Sequence, residues 1–472
     1  MSDAGPRISP LPDGPSRPRS GPLVDAAMLG LASGAILVPL NSTMLAVALP
    51  SIMAEFGVTA ATVASLVTVY LGAVAIALPT SGSLGDRFGH RPMFLVGVVA
   101  FGLASTLAAT AASFEVLALS RVLQAASGAL VSTSSVSLLR MIAPADRRGA
   151  AFGLFDMLVS TSAAIGPLIG GLLVGGLGWR AMFLVAVPIA AIAAVVVATL
   201  PTMRAPEQRL PPRPIDLPGL ALLAATLIAL LAGIQGLENG GTTTLGLVVA
   251  PVLLVVFVAV ELRTKHPAVD PRLFASPAFT AATLGIFGAT IVLHATFVFV
   301  PLLVERLQGG DPLTSGLVLL GISALGAVAA PIGGRMSDAV GRRQPAVIGM
   351  VLAAAALVGL WAVAPESTPV VLGGLLAIVG FGMGMAGSPR QTAALETVEP
   401  GRVGMAAGTY YTGRYIGGAI GATLAGAILG GAVTGVAIST GFALLAVVAG
   451  LVAAVSMLLP GRAIRQPIAA TG

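Results

Sequence analysis

Long apolar stretches recur along the chain, separated by short polar breaks. They fall at 25–49, 60–81, 93–113, 115–139, 150–175, 181–200, 217–237, 244–261, 278–303, 313–333, 346–364, 369–388, 403–432 and 437–459. A helix needs about 20 mostly apolar residues to cross hydrocarbon, and backbone in lipid must satisfy its own hydrogen bonds. The pattern therefore predicts fourteen transmembrane helices. Residues 1–24 break it: rich in Pro, Gly, Ser and Arg and without an apolar run, they read as a disordered cytoplasmic tail rather than a signal peptide.

Composition sharpens this reading. Of 472 residues 56% are hydrophobic and 9% charged, with a mean hydropathy of +0.98. Soluble domains carry about 25% charged residues, so this chain cannot cover a soluble surface; it reads as an all-α polytopic membrane protein. Cysteine is absent, which excludes disulfides, thiol nucleophiles and cysteine zinc sites. The histidines, His90, His266 and His294, are too dispersed for a metal-binding run, and no cofactor or metal is expected. Lys265 is followed by His266 rather than Ser or Thr. A phosphate-binding Gly-Lys-Ser/Thr loop is thus missing, and uphill movement of a solute would draw on an ion gradient or another subunit, not on ATP bound here.

Charge placement tests the span count. With both termini in the cytoplasm, 21 of the 25 Lys and Arg residues fall in the tails and cytoplasmic loops, three of them between spans 10 and 11 and two between spans 12 and 13. Arg121, Arg180, Arg306 and Arg414 are the exceptions. This is the positive-inside bias, and it accounts for the net charge of +6 without nucleic acid. The excess of arginine over lysine and the heavy use of Ala and Gly suggest a GC-rich bacterium, which places the protein in a bacterial cytoplasmic membrane.

The chain also repeats itself. GSLGDRFGHRP (82–92) is echoed by GRMSDAVGRRQP (334–345), with Gly82, Asp86, Gly89 and Arg91 matching Gly334, Asp338, Gly341 and Arg343 at an offset of 252. IGPLIGG (165–171) is echoed by IGGAIGA (416–422) at an offset of 251. Two pseudo-symmetric six-helix bundles in the same orientation, plus two extra central helices, account for both. The organisation expected is a tail (1–24), an N-terminal bundle (25–200), a linker carrying the two extra helices (201–277), a C-terminal bundle (278–460) and a cytoplasmic C-tail (461–472).

With Arg121 and Gln124 in RVLQ, GPLIGG at 166–171, WRAMFLVAVP at 179–188, LRTKHPAVDPRLF at 262–274 and GRYIGGAIG at 413–421, the chain resembles the major facilitator superfamily. It is most similar to the fourteen-span drug:proton antiporter branch, over nearly all of 25–460. The signature loop of that superfamily is matched by Gly82, Gly85, Asp86, Arg87, Gly89 and Arg91. The resemblance implies proton-coupled efflux of hydrophobic drugs or antibiotics by alternating access between two bundles, by a chain that works as a monomer. A facilitator or importer without proton coupling is the alternative. A polytopic enzyme or sensor is a third class, but no GxSxG, metal cluster or paired intramembrane carboxylates support an enzyme.

Each motif has a functional and a structural reading. Asp86 and its repeat partner Asp338 can pair with arginines such as Arg91 and Arg343, making a conformational latch that biases the inward/outward equilibrium; otherwise this is a charged loop that sets topology. Gly166, Gly170 and Gly171, with Pro167, give span 5 a small-residue face. That face either closes the pathway or only packs. Asp156 sits roughly 9 Å into span 5 and is the chief intramembrane acid, a candidate for handling protons or a cationic substrate, or else a structural hydrogen-bonding group. A charge at that depth is expensive unless it faces a cavity or a partner. Tyr411, Arg414 and Tyr415 share one helical face of span 13, able to hold an aromatic or anionic drug or to lock the helix to its neighbours. His294 can titrate near neutrality or be a packed, hydrogen-bonded side chain. Arg121 resembles the superfamily arginine linked to proton transfer. Asn41, in LNSTMLAVALP, stands where the family usually has an acid in the first span, and it cannot carry a proton.

Overall fold

The computed structural model describes residues 22–142, 148–199, 216–239, 245–265, 267–396, 398, 403–430 and 432–461. The tails expected at 1–24 and 461–472 lie outside this set except at their inner ends, and so does the side chain of Asp156. The described residues form α1 (Pro22–Phe56), α2 (Ala60–Phe88), α3 (His90–Ala109), α4 (Phe114–Ile142), α5 (Arg148–Leu177), α6 (Ala181–Leu184) and α7 (Ala186–Thr199). Next come α8 (Leu217–Asn239), α9 (Gly246–Arg263), α10 (Pro277–Leu302), α11 (Pro312–Val340), α12 (Arg343–Val363), α13 (Pro369–Glu396), α14 (Val403–Leu429) and α15 (Gly435–Ser456). Taking α6 and α7 as one broken span, thirteen stretches are long and apolar enough to cross a bilayer. The 27-residue α14 is the fourteenth long helix. No strand occurs among the described residues.

The helices outrun their apolar stretches at the end that carries the repeated motif. α2 continues from 81 to Phe88, α11 from 333 to Val340 and α13 from 388 to Glu396. Hydropathy falls where the helix leaves hydrocarbon, whereas the backbone ladder continues into the interface. What reads as a loop in GSLGDRFGHRP is therefore helix on both sides of one residue. Gly89, at φ 96°, is the whole connection between α2 and α3, and Gly341, at φ 93°, takes the same position between α11 and α12. Each donates its N–H back to the residue four earlier, Gly85 O at 2.8 Å and Ser337 O at 3.0 Å. At the opposite end helix starts are capped by side chains: Thr59 accepts from Thr62 N at 3.1 Å and Asp311 from Thr314 N at 2.7 Å. Hydrogen bonds from Thr314 hold the Asp311 carboxyl below its ordinary pKa.

Packing divides the helices into an N-terminal bundle (α1–α7) and a C-terminal bundle (α10–α15). α1 packs on α5, α7 and α4, and α10 on α14, α15 and α13. These two are the innermost spans, with 72% and 78% of their apolar stretches buried, against 17% for α9. Small residues set the approach in the C-terminal bundle: Gly384 lies on the Gly326 backbone, Gly380 on Ile322 and Gly333 on Met385, all between α13 and α11. Helices in lipid gain little from the hydrophobic effect between them and depend on such close packing. The bundles meet along α2–α14, α5–α11 and α1–α10.

The two extra helices are central in sequence but lateral in space. α8 packs over the α2–α14 seam through Leu223 and Leu227, which meet Ala75, Ile76, Tyr415 and Ile416. α9 packs on α8.

Replacing Gly89 or Gly341 by Ala puts a Cβ on a backbone with positive φ. It is expected to destabilise the protein by about 1–3 kcal/mol, read as a lower midpoint of thermal unfolding of the purified protein. An unchanged midpoint would show that the turn does not need this geometry.

Candidate functional site

In the N-terminal bundle a polar network is built around Arg121, which α4 carries seven residues from its start. Its guanidinium is fully buried. Nη1 donates to Asn41 Oδ1 of α1 and, at 2.8 Å, to Gln124 Oε1 one turn on. Gln124 in turn donates to Ser105 Oγ of α3 at 2.8 Å. The Tyr70 ring of α2 lies 4.0 Å below the guanidinium carbon, a cation–π contact that replaces lost hydration. Four helices thus converge on one positive charge. Its described partners are an amide pair and two rings, Tyr70 and, at 6.0 Å, Phe183, with no carboxylate among them. Asn41 Nδ2 and Arg121 Nε are buried and find no partner among the described residues.

The C-terminal bundle brings together a second set on α14, α10 and α13. Gly417 and Gly421 of α14 lie against the α10 backbone at Phe287 and Ile291, while Thr423 meets Thr68 of α2 at 2.9 Å. Gly418 falls between these two contact lines, where a Cβ would come within 2.9 Å of His294 Nδ1 and 3.0 Å of Leu71 Cδ1. Arg414, one turn before Gly418, occupies the same inward face and is exposed there. It interacts electrostatically with His294 and Tyr410. Thr290 Oγ1 donates to the Arg414 carbonyl at 2.8 Å, tying α10 to α14 behind the side chain. Tyr411 accepts from Gln391 Nε2 of α13 at 2.9 Å, and its ring stands edge-on to Tyr410 at 5.6 Å. His294 Nδ1 lies 3.0 Å from the Thr290 carbonyl, four residues earlier on α10. Tyr415 packs among Ala75, Leu223 and Leu227, so it turns toward α2 and α8 more than Tyr411 does.

The glycines of span 5 face two ways. Gly166 and Gly170 lie on α1, against Thr43 and Met44, within their own bundle. Gly171 lies on α11, where a Cβ would come within 2.7 Å of the Pro312 carbonyl, and Gly316 returns the contact against Pro167 O. Pro167, Gly171, Pro312 and Gly316 therefore make the α5–α11 seam. At the same end of the molecule Arg306 donates across the bundles to Pro50 O at 3.0 Å, and Gly426 lies on Ala61. The contacts between bundles cluster at the end opposite the repeated motif.

At the motif end the matched residues act within their own bundles. Arg91 donates to Val197 O at 3.3 Å and Ala198 O at 2.9 Å at the end of α7. Arg343, its repeat partner, donates to Leu459 O at 2.9 Å just past α15. Each arginine thus fastens the third helix of its bundle to the last. Asp86 meets His90 at 3.4 Å. Asp338 pairs with Arg342 at 3.0 Å, and Arg342 also binds Glu396 at 2.7 Å. The Glu396 hydrogen bonds, against burial and helped by Asp338, hold the Arg342 guanidinium above its ordinary pKa. Arg87 is exposed beside the Phe88 ring. Close approach is needed at Gly85, which abuts the His90 ring, while Gly82 faces open space.

A bundle pair of this kind, with repeat-related arginines and a polar centre, matches one family model, that of the Major Facilitator Superfamily, over residues 31–422. The chain belongs to the major facilitator superfamily. It is 31% identical over 401 residues to the tetracenomycin C resistance and export protein of Streptomyces glaucescens, covering 84% of this chain and 74% of that one. It is also 31% identical over 438 residues to a multidrug resistance protein B homolog of Mycobacterium tuberculosis (strain ATCC 25618 / H37Rv), covering 88% and 80%. Two solved structures share the fold. A bacterial homolog of the human lysosomal transporter Spinster, inward-facing and occupied, gives a TM-score of 0.67 at 17% identity, over 93% of this chain and 97% of that one. A peptide transporter POT in complex with sulfate gives 0.69 at 16%, over 91% and 93%. This superfamily member is a multi-pass membrane transporter, not an enzyme.

Two features of this transporter escape a reading of its sequence. Arg390 counts there as a loop arginine, but α13 carries it into the bundle, where it is 1% exposed and donates to Gly285 O at 3.0 Å. Its immediate neighbours, Ser388 and Pro389 before it and Gln391 and Thr392 after it, give no sign of burial. Glu261 of α9 is fully buried. Its carboxyl and that of Asp216 crowd over Gly219, where Asp216 caps the start of α8 by accepting from Gly219 N at 2.9 Å.

Asn41→Ala removes one of the acceptors of a buried guanidinium and is expected to destabilise the protein by about 1–3 kcal/mol. Asn41→Asp restores an acceptor and supplies a counter-charge. Thermal unfolding of both variants checks this: Asn41→Ala should melt well below wild type and Asn41→Asp should not.

Proposed function

We propose that this transporter exports hydrophobic drugs or antibiotics by alternating access, driven by protons, across a bacterial cytoplasmic membrane. Both termini are cytoplasmic in this reading and one chain suffices. The observation that carries it is the one-sided meeting of the bundles. Thr68–Thr423, Arg306–Pro50 and Gly171–Pro312 join them at the end opposite the motif, while Arg414 and Gln391 remain exposed on inward faces. A pathway closed outside and reachable from inside is the state in which an exporter loads. The resistance and export functions in the printed names of the relatives support the direction.

Within this scheme Pro167 and Gly171 close the outer side against α11, while Gly166 and Gly170 seat α5 on α1. Asp86 and Arg91, with Asp338 and Arg343, latch the inner side when it shuts. Asp156, the only acid of the described helices that lies six or more residues from a helix end, carries the proton. One charge moving through 100 mV releases about 2.3 kcal/mol, equivalent to roughly a fiftyfold gradient. A second reading, a facilitator or importer without proton coupling, is favoured by one observation: Arg121 is partnered by neutral Asn41 where a protonatable acid would couple it.

Two experiments test the scheme. In liposomes containing a pH dye, drug-dependent proton flux is expected with wild type and should vanish in Asp156→Asn; drug movement without proton flux in wild type would select the facilitator. For alternating access, the chain's lack of cysteine makes the double variant Thr68→Cys/Thr423→Cys clean. Oxidation should link the bundles and stop transport, and reduction should restore it. Full transport by the linked protein would end the alternating-access reading.

A further inference from the structure

Charge along the helix interiors is unbalanced. Six or more residues from the ends of the described helices stand three arginines, Arg121, Arg390 and Arg414, and one acid, Asp156. Two of the arginines are fully enclosed, and the described groups around them are amides, carbonyls and aromatic rings. The third, Arg414, is exposed on the face of α14 that lies between the bundles. Even with Asp156 ionised, the centre of the molecule holds two uncompensated positive charges. In a low-dielectric setting such charges are stable only when a counter-charge or a well-hydrated cavity faces them. Arg414 is the one placed to receive a mobile counter-charge: on α14 Tyr411 stands one turn before it, held by Gln391 through a 2.9 Å hydrogen bond, and His294 lies against Gly418 one turn after it.

Resting on the export reading above, we propose that the substrate is an aromatic anion. Its carboxylate, phenolate or sulfonate takes the Arg414 fork, and its ring plane packs between Tyr411 and His294. A guanidinium offers paired donors that match an oxyanion, and phenol and imidazole rings offer flat, polarisable walls. Arg121 and Arg390, closed off behind the α2 and α10 faces, add attractive potential without touching the substrate. A cationic drug meets the opposite: repulsion from three guanidinium groups, with one carboxylate to offset it. Because the cargo is negative, an interior-negative membrane potential pushes it outward, so its exit is assisted electrically.

The test compares two dyes on one xanthene frame, anionic fluorescein at pH 7.5 and cationic rhodamine 6G. Fluorescence polarisation with the purified full chain in nanodiscs gives their affinities, and proteoliposomes give their movement. Fluorescein should bind at least about tenfold tighter than rhodamine 6G. Arg414→Gln should raise its Kd at least about tenfold, the size of one charge-assisted hydrogen bond. Arg414→Lys should raise it less, and the melting points of both variants check that they are folded. Imposing an interior-negative potassium diffusion potential should speed fluorescein exit. Rhodamine 6G binding as tightly as fluorescein, binding of neither dye, or an Arg414→Gln protein that is folded and binds fluorescein unchanged would overturn the proposal. Selective fluorescein binding with no movement in proteoliposomes would leave the anion site standing and refute export instead.

Discussion

Hydrocarbon offers no partner to a peptide N–H or C=O, and the architecture of this transporter follows from that constraint. Every crossing has to be a helix that closes its own ladder, which fixes the repertoire before any side chain is considered. Lipid tails are as apolar as leucine, so helices cannot associate merely by hiding hydrophobic surface. Close backbone contact takes over that role, at Gly384 on Gly326 in the C-terminal bundle and at Gly171 on Pro312 between bundles. The first kind holds the helices of one bundle together. The second joins the bundles, with Gly171 and Gly316 each lying on the backbone of the facing helix.

The same constraint makes the polar centre costly. A guanidinium inside the bundle needs replacements for the water it lost. Arg121 finds them in Asn41, Gln124 and the Tyr70 ring, drawn from three helices. Arg390 reaches the Gly285 carbonyl of a neighbouring helix. These two side chains are enclosed by the bundles, while that of Arg414 is exposed. Burial, which the sequence does not show, divides the three, and on the reading proposed above it separates scaffold from site.

Much of the fold is legible in the amino-acid pattern because the membrane reads hydropathy directly. The fourteen spans, the two bundles and the repeat centred on Gly89 and Gly341 follow from segment length, arginine placement and an offset of 252. Helix ends are less legible, since hydropathy records where lipid stops and not where hydrogen bonding stops; α2, α11 and α13 all run on past it. The candidate site is legible residue by residue but not as contacts. Tyr411 and Arg414 can be placed on one face from spacing, yet the reach of Gln391 to Tyr411 and the grip of Asn41 on Arg121 join residues 20 and 80 positions apart. Arg390 is hard to place from the sequence for a plain reason: an arginine six residues from a helix end looks the same in sequence whether it snorkels to the interface or turns inward.

The lateral position of the extra helix pair gives a pseudo-symmetric molecule a front and a back. Two seams between bundles open sideways toward lipid, one along α2–α14 and one along α5–α11. α8 lies across the first, with Leu223 and Leu227 wedged against Ala75 and Ile416, and α9 stands outside it. On that flank α8 stands between the seam and the surrounding lipid, whereas among the described residues neither of the extra helices packs on α5 or α11. The two bundles are related by a repeat, but their two flanks are not equivalent: one seam is covered by a helix and the other is bare of one.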